Sequence, residues 1–261
     1  METSPQIKRA IEEYCLTMAS GTSLGWPVRK LLNEFKRYYA SYMLIRNYYT
    51  WSNGRGEIPT LSRLKLVSGL SPRQTVSLVN VLRTAALVDA EVVQGNRRQL
   101  ILRPSRFLLE EVGRSCVAFL KARDLVVGTK YAPRIQESPD LLGQLICNSG
   151  DRVLESGTVI APFPTIQAMA EFDCGYLILV AVMANHYLQQ SGGALIPTSY
   201  DSLAWRFQVS RSHVGNVINY LQSNGMLYAD RLPSLALVDE FENWCDAEMR
   251  HYAIIAAKIL L

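Results

Sequence analysis

No stretch of this chain is apolar for long enough to cross a membrane as a helix. The most apolar run, Gly175 to Ala184 ("GYLILVAVMA"), is about half of the roughly 20 residues a span requires and reads as a buried helix. Paired cysteines are missing too. Cys15, Cys116, Cys147, Cys174 and Cys245 are odd in number and scattered, with no Cys-x-x-Cys pair and no Cys/His cluster. That excludes a disulfide framework and a zinc site, and leaves free, mostly buried thiols of a reducing compartment as the expectation. The segment after Met1, "ETSPQIKRAIEEYC", has no apolar core of the kind a signal peptide carries. A cytoplasmic protein without a membrane partner is expected.

Catalytic signatures are equally scarce. There is no Gly-rich phosphate loop, no His-Glu-x-x-His and no Gly-x-Ser-x-Gly. His186, His213 and His251 show no paired ligand spacing, and His186 reads as a core or interface residue. The neighbouring carboxylates Glu12/Glu13 and Glu110/Glu111 point in different directions on a helix and suit solvated faces. A protein that is not an enzyme, with no cofactor and no metal, is expected.

What the chain does have is ordinary globular composition: 261 residues, 49% apolar and 19% charged, enough for two domains with their own cores. The net charge of +4 conceals an asymmetry. Residues 1–135 carry 21 Lys/Arg against 10 Asp/Glu, whereas residues 136–261 carry 6 against 13. One part of the chain attracts anions and the other does not.

The chain also repeats itself. At an offset of 138, "NYYTWSNGRGEIPT" from Asn47 lies over "NHYLQQSGGALIPT" from Asn185. At an offset of 139, Leu64 meets Leu203, Ser71 meets Ser210, Leu78 meets Val217, Asn80 meets Asn219 and Leu82 meets Leu221. Two copies indicate a tandem pair of domains, not a solenoid. Each copy predicts an apolar helix (Phe35 to Thr50; Gly175 to Gln190), a Gly-rich turn, a short extended Ile-Pro-Thr segment and two short helices. Those helices run over Leu61 to Val67 and Pro72 to Ala85 in copy one, and over Tyr200 to Phe207 and Arg211 to Asn224 in copy two. Ser71 and Ser210 stand where N-caps are wanted, and Pro72 suits the first helical position. Thr75, Leu78, Val79 and Leu82, like Val214, Val217, Ile218 and Leu221, recur at helical spacing as buried stripes.

A hairpin is expected after each second helix. In copy one "LVDAEVV" and "RQLILR" flank "QGNR"; in copy two "MLYAD" and "LALVD" flank "RLPS". Helix, helix, helix, hairpin is the winged helix-turn-helix order. The fold class that follows is mostly α with small β-hairpin wings: two such domains in tandem joined by a helical linker. The expected division is 1–130 for the N-terminal domain, 131–170 for the linker and 171–261 for the C-terminal domain with its C-terminal helix. A helix is expected over Phe107 to Asp124, a looser boundary at "GTKYAPRIQESPD", and a final helix over Glu240 to Leu261.

In a helix-turn-helix the second helix enters the major groove and its N-terminal residues touch base edges. Copy one then offers Ser71, Arg73, Gln74, Ser77 and Asn80, with Arg83 beyond them. Arg can hold guanine through two parallel hydrogen bonds, and Asn or Gln can do the same with adenine. Copy two offers Ser210, Arg211, Ser212, His213, Asn216 and Asn219. At the first hairpin Arg97 and Arg98 suit phosphates or the minor groove. Between Ile58 and Arg106 eight Lys/Arg face only Asp89 and Glu91, whereas Ile196 to Leu237 sets Arg206, Arg211 and Arg231 against Asp201 and Asp230. Phosphate neutralisation supplies most non-specific affinity, so copy one is the expected main reader.

"LAWRFQVSRSHVGNVINYLQSNGML" (Leu203 to Leu227) and "NRRQLILRPS" (Asn96 to Ser105) resemble the helix-turn-helix and wing of bacterial MarR-like transcriptional regulators. Asn96 stands where such wings usually carry Asp, and Arg103 where they usually carry Thr. The resemblance covers about half of the chain, which holds two units where those proteins hold one. It implies sequence-specific double-stranded DNA binding by a homodimer on a palindromic operator, with room for a small-molecule or protein effector. Two alternatives share the architecture: a replication initiator gripping DNA repeats with two winged helices, and an adaptor whose winged helices dock proteins instead of DNA.

Overall fold

Hydroxyl side chains mark where several of the helices begin. The computed structural model describes residues 4–20, 28–93 and 96–260, leaving aside the side chains of 28, 29, 93 and 96–98. Ser4 accepts from the Ile7 amide and opens α1 (Pro5–Ala19). Then come α2 (Val28–Leu32), α3 (Phe35–Ser52), α4 (Leu61–Val67), capped by Thr60, and α5 (Pro72–Thr84), capped by Ser71. The hairpin β1 (Val88–Val93) and β2 (Asn96–Pro104) follows. The rest is α6 (Arg106–Val127), α7 (Tyr131–Glu137), α8 (Pro139–Ser156), α9 (Pro164–Glu171), α10 (Gly175–Ser191), α11 (Tyr200–Phe207), α12 (Arg211–Ser223) and α13 (Leu235–Leu260). The chain is mostly helical with a small two-stranded antiparallel sheet.

The chain forms two compact units, and each is assembled from three stretches. One comprises 35–117, 131–158 and 252–261, and carries 16 Lys/Arg against 9 Asp/Glu; it is the basic unit. The other comprises 1–34, 118–130 and 159–251, with 11 against 14, and is the acidic unit. This replaces the consecutive division at 130 and 170. The stretch 131–170, expected as a linker, is mostly α7, α8 and α9 and is shared between the units. The cause is local. Ser138 caps α8, Pro139 takes its first position, and Leu142, Leu145 and Ile146 are buried. Gly143 lets α8 approach α3, since a Cβ there would fall 1.9 Å from the Tyr49 ring. Arg46 of α3 completes the contact, its Nε donating to Asp151 Oδ1 of α8 at 2.7 Å.

Within the basic unit, Met43, Leu44 and Ile45 of α3 share a core with Leu64 of α4, Leu78, Val79 and Leu82 of α5, and Leu87, Val88 and Leu102 of the hairpin. Strands β1 and β2 pair from Val88 opposite Pro104 to Val92 opposite Leu100, with an irregularity at Val92/Val93. The expected Ile-Pro-Thr segment is extended and joins the hairpin's edge, Leu102 N donating to Pro59 O at 2.9 Å. Of the expected turn Gln94 to Arg97, Gln94 and Gly95 lie outside the described residues, while Asn96 and Arg97 already belong to β2.

Within the acidic unit, the first ten residues of α10, Gly175 to Ala184, are apolar on every side and correspondingly buried. The α1 helix packs on it, and the Tyr14 and Tyr176 hydroxyls hydrogen-bond to each other. Tyr14 stacks on Phe119 at 4.1 Å, and Trp244 meets Phe119 and Phe241 edge-on, both at 5.3 Å. The second expected hairpin is not formed. "MLYAD" and "RLPS" close a tight turn held by one bridge, Leu227 to Pro233, while "LALVD" opens α13. Ser234 decides this: it receives the Leu237 amide on its Oγ at 3.3 Å, and Leu237, Phe241 and Trp244 then bury one helical stripe.

The two repeats share backbone conformation even where their residues differ. Between the short helices, Gly69 (φ +68°) and Gln208 (φ +54°) occupy corresponding left-handed positions. After the second helices, Ala86 (φ +54°) and Gly225 (φ +69°) do the same. Leu87 N donates to Leu82 O, and Met226 N to Leu221 O, both at 2.8 Å, so α5 and α12 end in the same way.

Candidate nucleic-acid interface

Helix α5 begins with a capping box. Ser71 Oγ accepts from the Gln74 amide at 3.3 Å, and Gln74 Oε1 accepts from the Ser71 amide at 3.1 Å. Two of the five expected contact residues of this helix are therefore engaged with its own first turn, although both remain exposed. Arg73, Ser77 and Asn80 are exposed at i, i+4 and i+7 and form one stripe opposite the buried Thr75, Leu78, Val79 and Leu82. Seven residues of helix rise about 10 Å, so the stripe spans roughly three base steps of about 3.4 Å.

Buried hydroxyls hold this helix in place. Ser68 Oγ and Thr75 Oγ1 lie 2.9 Å apart, Thr75 Oγ1 donates to Ser71 O at 3.0 Å, and the Leu70 amide donates to Ser68 Oγ at 3.3 Å. The turn before α5 is thus tied to the first turn of α5 itself.

The positive charge here is smaller than the residue count. Arg63 pairs with Glu57 at 3.3 Å, Arg103 with Glu91 at 3.2 Å and Arg106 with Glu110 at 2.7 Å. Lys65, Arg73 and Arg83 form no ion pair among the described residues and supply the open charge. Arg97 and Arg98 lie in β2, and their side chains are outside the described residues.

The second copy is built differently at the same positions. Ser210 caps α12 by accepting from the His213 amide at 3.1 Å. Arg211 pairs with Asp201 across 3.6 Å, while Ser212 and Asn216 are exposed. His213, expected at a DNA edge, is half-buried, and its Nε2 donates to the Asp173 carbonyl at 2.5 Å. Its ring holds α12 to the turn before α10 and does not project from the unit.

Two large apolar side chains are exposed beside the polar ones. Leu66 on α4 (73% exposed) and Trp205 on α11 (84%) occupy the same position of the repeat. The signal was available in the alignment of copies, because both sit on the outer side of a helix whose inner side, Leu64 and Leu203, is buried.

All five cysteines are buried free thiols, and burial pushes Cys174 up to about 12 and Cys15 and Cys245 well above their usual range, which disfavours the thiolate. Among the described residues no group of His, Cys, Asp or Glu is gathered to hold a metal, and no helix is long and apolar enough to cross a membrane. No protein-family model matches the chain, and neither the curated proteins nor the solved structures provide a match.

Proposed function

We propose that the chain is a cytoplasmic, sequence-specific DNA-binding transcriptional regulator, resembling the MarR-like class, in which the basic unit is a winged helix-turn-helix and α5 its reading helix. The observation that carries this reading is the open stripe Arg73, Ser77 and Asn80 on a capped helix, held by a buried hydroxyl cluster and followed by a hairpin bearing Arg97 and Arg98. Arg73 would hold a guanine through two parallel hydrogen bonds, Asn80 would pair with an adenine, and the hairpin arginines would take the backbone or minor groove. The protein acts as a homodimer on a palindrome and has no catalytic role.

The acidic unit repeats the helix order as a second, modified winged helix. Its paired Arg211, inward His213, shortened hairpin and exposed Trp205 favour protein contact over duplex contact for this copy. That is the adaptor alternative confined to one unit. It also argues against a replication initiator, which needs both copies on DNA.

The test is selection of a duplex from a random library, followed by titration across salt concentrations. Log K should fall linearly with log salt, with a shallower slope for Arg97→Ala and a similar loss on every sequence. Binding indifferent to salt would contradict it and favour the adaptor.

A further inference from the structure

A cavity of about 310 Å3 opens in the acidic unit between α10, the extended segment after it, α12 and the turn that replaces the second hairpin. Its apolar wall is Val182, Leu195, Ile218 and Leu232, and its polar wall includes His186, Gln189 and Arg231. The repeat explains why the cavity exists. His186 and Gln189 stand where copy one has Tyr48 and Trp51, an aromatic pair with ring centroids 6.0 Å apart. In copy one a full strand also covers the extended segment, through Leu102 N to Pro59 O. In copy two the turn that replaces the hairpin reaches that segment through a side chain instead of a strand: Arg231 Nη1 donates to Thr198 O at 3.1 Å. Smaller side chains and a shortened hairpin together leave the space.

Most polar groups around the cavity are already engaged. Asn185 clamps Ile196, donating to its carbonyl at 2.8 Å and accepting from its amide at 2.7 Å. Ser199 is tied to Ser202, and Asp230 Oδ1 accepts from the Leu232 amide at 3.1 Å. His186 Nε2 accepts from Gln190 Nε2 at 2.8 Å, and burial lowers the imidazole's pKa, so it presents a neutral ring. Arg231 differs. It stacks over Tyr200 at 4.3 Å and forms one described hydrogen bond, which leaves most of its five N–H donors open. Its backbone sits at φ +66°, in the left-handed region, and the turn around it fixes that geometry.

We propose that this cavity is a binding site for a small monocarboxylate with a compact apolar body. The carboxylate sits on Arg231, which suits planar two-oxygen groups, and the amide of Gln189 adds a donor. The apolar body lies against Val182, Leu195, Ile218 and Leu232. Asp230 at the rim repels a second negative charge. The volume is at the lower end of the range of about 300–1,000 Å3 that small-molecule sites occupy.

The test uses benzoate, with benzamide as its uncharged counterpart and phthalate as its dianion, followed by saturation-transfer NMR and calorimetry on the full chain. Benzoate is expected to bind more tightly than either. Arg231→Gln should weaken benzoate about tenfold, the value of a charge-assisted hydrogen bond, and leave benzamide unchanged. Gln189→Trp, which restores the copy-one residue, should abolish binding of both. Should that variant fail to fold by circular dichroism, His186→Tyr takes its place with the same expectation. Equal affinity for benzoate and benzamide, no benzoate binding, or full binding by the filled variants would each overturn the proposal. Since no readout involves DNA, failure here leaves the function proposed for the basic unit untouched.

Discussion

Gly69, Ala86, Gln208 and Gly225 hold left-handed φ angles at two positions of the repeat, and only two of the four are glycines. An L side chain there costs about 1–2 kcal/mol. Ala86→Gly and Gln208→Gly should each stabilise the fold, by up to about 1 kcal/mol once the glycine's extra unfolded-state entropy is counted, and so raise the thermal midpoint. Gly69→Ala and Gly225→Ala should lower it by a similar amount, all four read by differential scanning calorimetry. The serine caps were legible as residues, because a hydroxyl before an apolar stripe has one common use. The left-handed positions at Ala86 and Gln208 were not, because neither residue type signals that conformation. Nor was the inward turn of His213, which depends on a carbonyl 40 positions away in the chain. Glu248 is a further residue only the folded chain reveals. Burial of its carboxyl group, partly offset by the Trp244 indole donating at 3.3 Å, raises its pKa from the ordinary 4.5 to about 7. The folded state therefore holds this proton more tightly than the unfolded state. Its contribution to stability is complete below pH 4.5 and is lost as pH rises through about 7. Melting curves across that window should show the decline in the native chain, and Glu248→Gln should flatten it.

At the scale of elements, the helices of both repeats were readable from period and caps, since α4 and α11 begin and end where the apolar spacing placed them. The second hairpin was misread. The apolar residues of "LALVD" fit a strand or a helix equally well over so short a run, and the Ser234 cap with the later stripe settles it as the start of α13. The capping box of α5 separates structural from contact roles on one helix. Ser71→Ala should cost about 1 kcal/mol of stability, measured by urea unfolding. Arg73→Ala, exposed and outside any described ion pair, should leave the urea midpoint nearly unchanged. The same box occupies the amide oxygen of Gln74, which accepts from the Ser71 backbone, while its side chain remains exposed. The cavity beside α10 was written in the repeat as well, in the replacement of Tyr48 and Trp51 by His186 and Gln189. A substitution pattern alone, however, does not distinguish an opening from a repacked surface.

At the scale of the molecule, the division of charge was legible and the division of chain was not. The sequence split at 135 foreshadows a basic and an acidic unit, and the folded units preserve that contrast. Their interleaving was hidden because α6 and α13 each run without interruption while supplying residues to both units; no proline or glycine run marks those crossings. If the basic unit reads the duplex and the acidic one does not, corresponding arginines of the two repeats should behave unlike each other. The most direct measurement is a fluorescence anisotropy titration of one selected duplex and its single-base variants with Arg73→Ala and Arg211→Ala side by side. Arg73→Ala should cost about 1–3 kcal/mol and erase preference at one base position, with Arg211→Ala close to the native chain. Loss of affinity with Arg211→Ala and none with Arg73→Ala would contradict this reading.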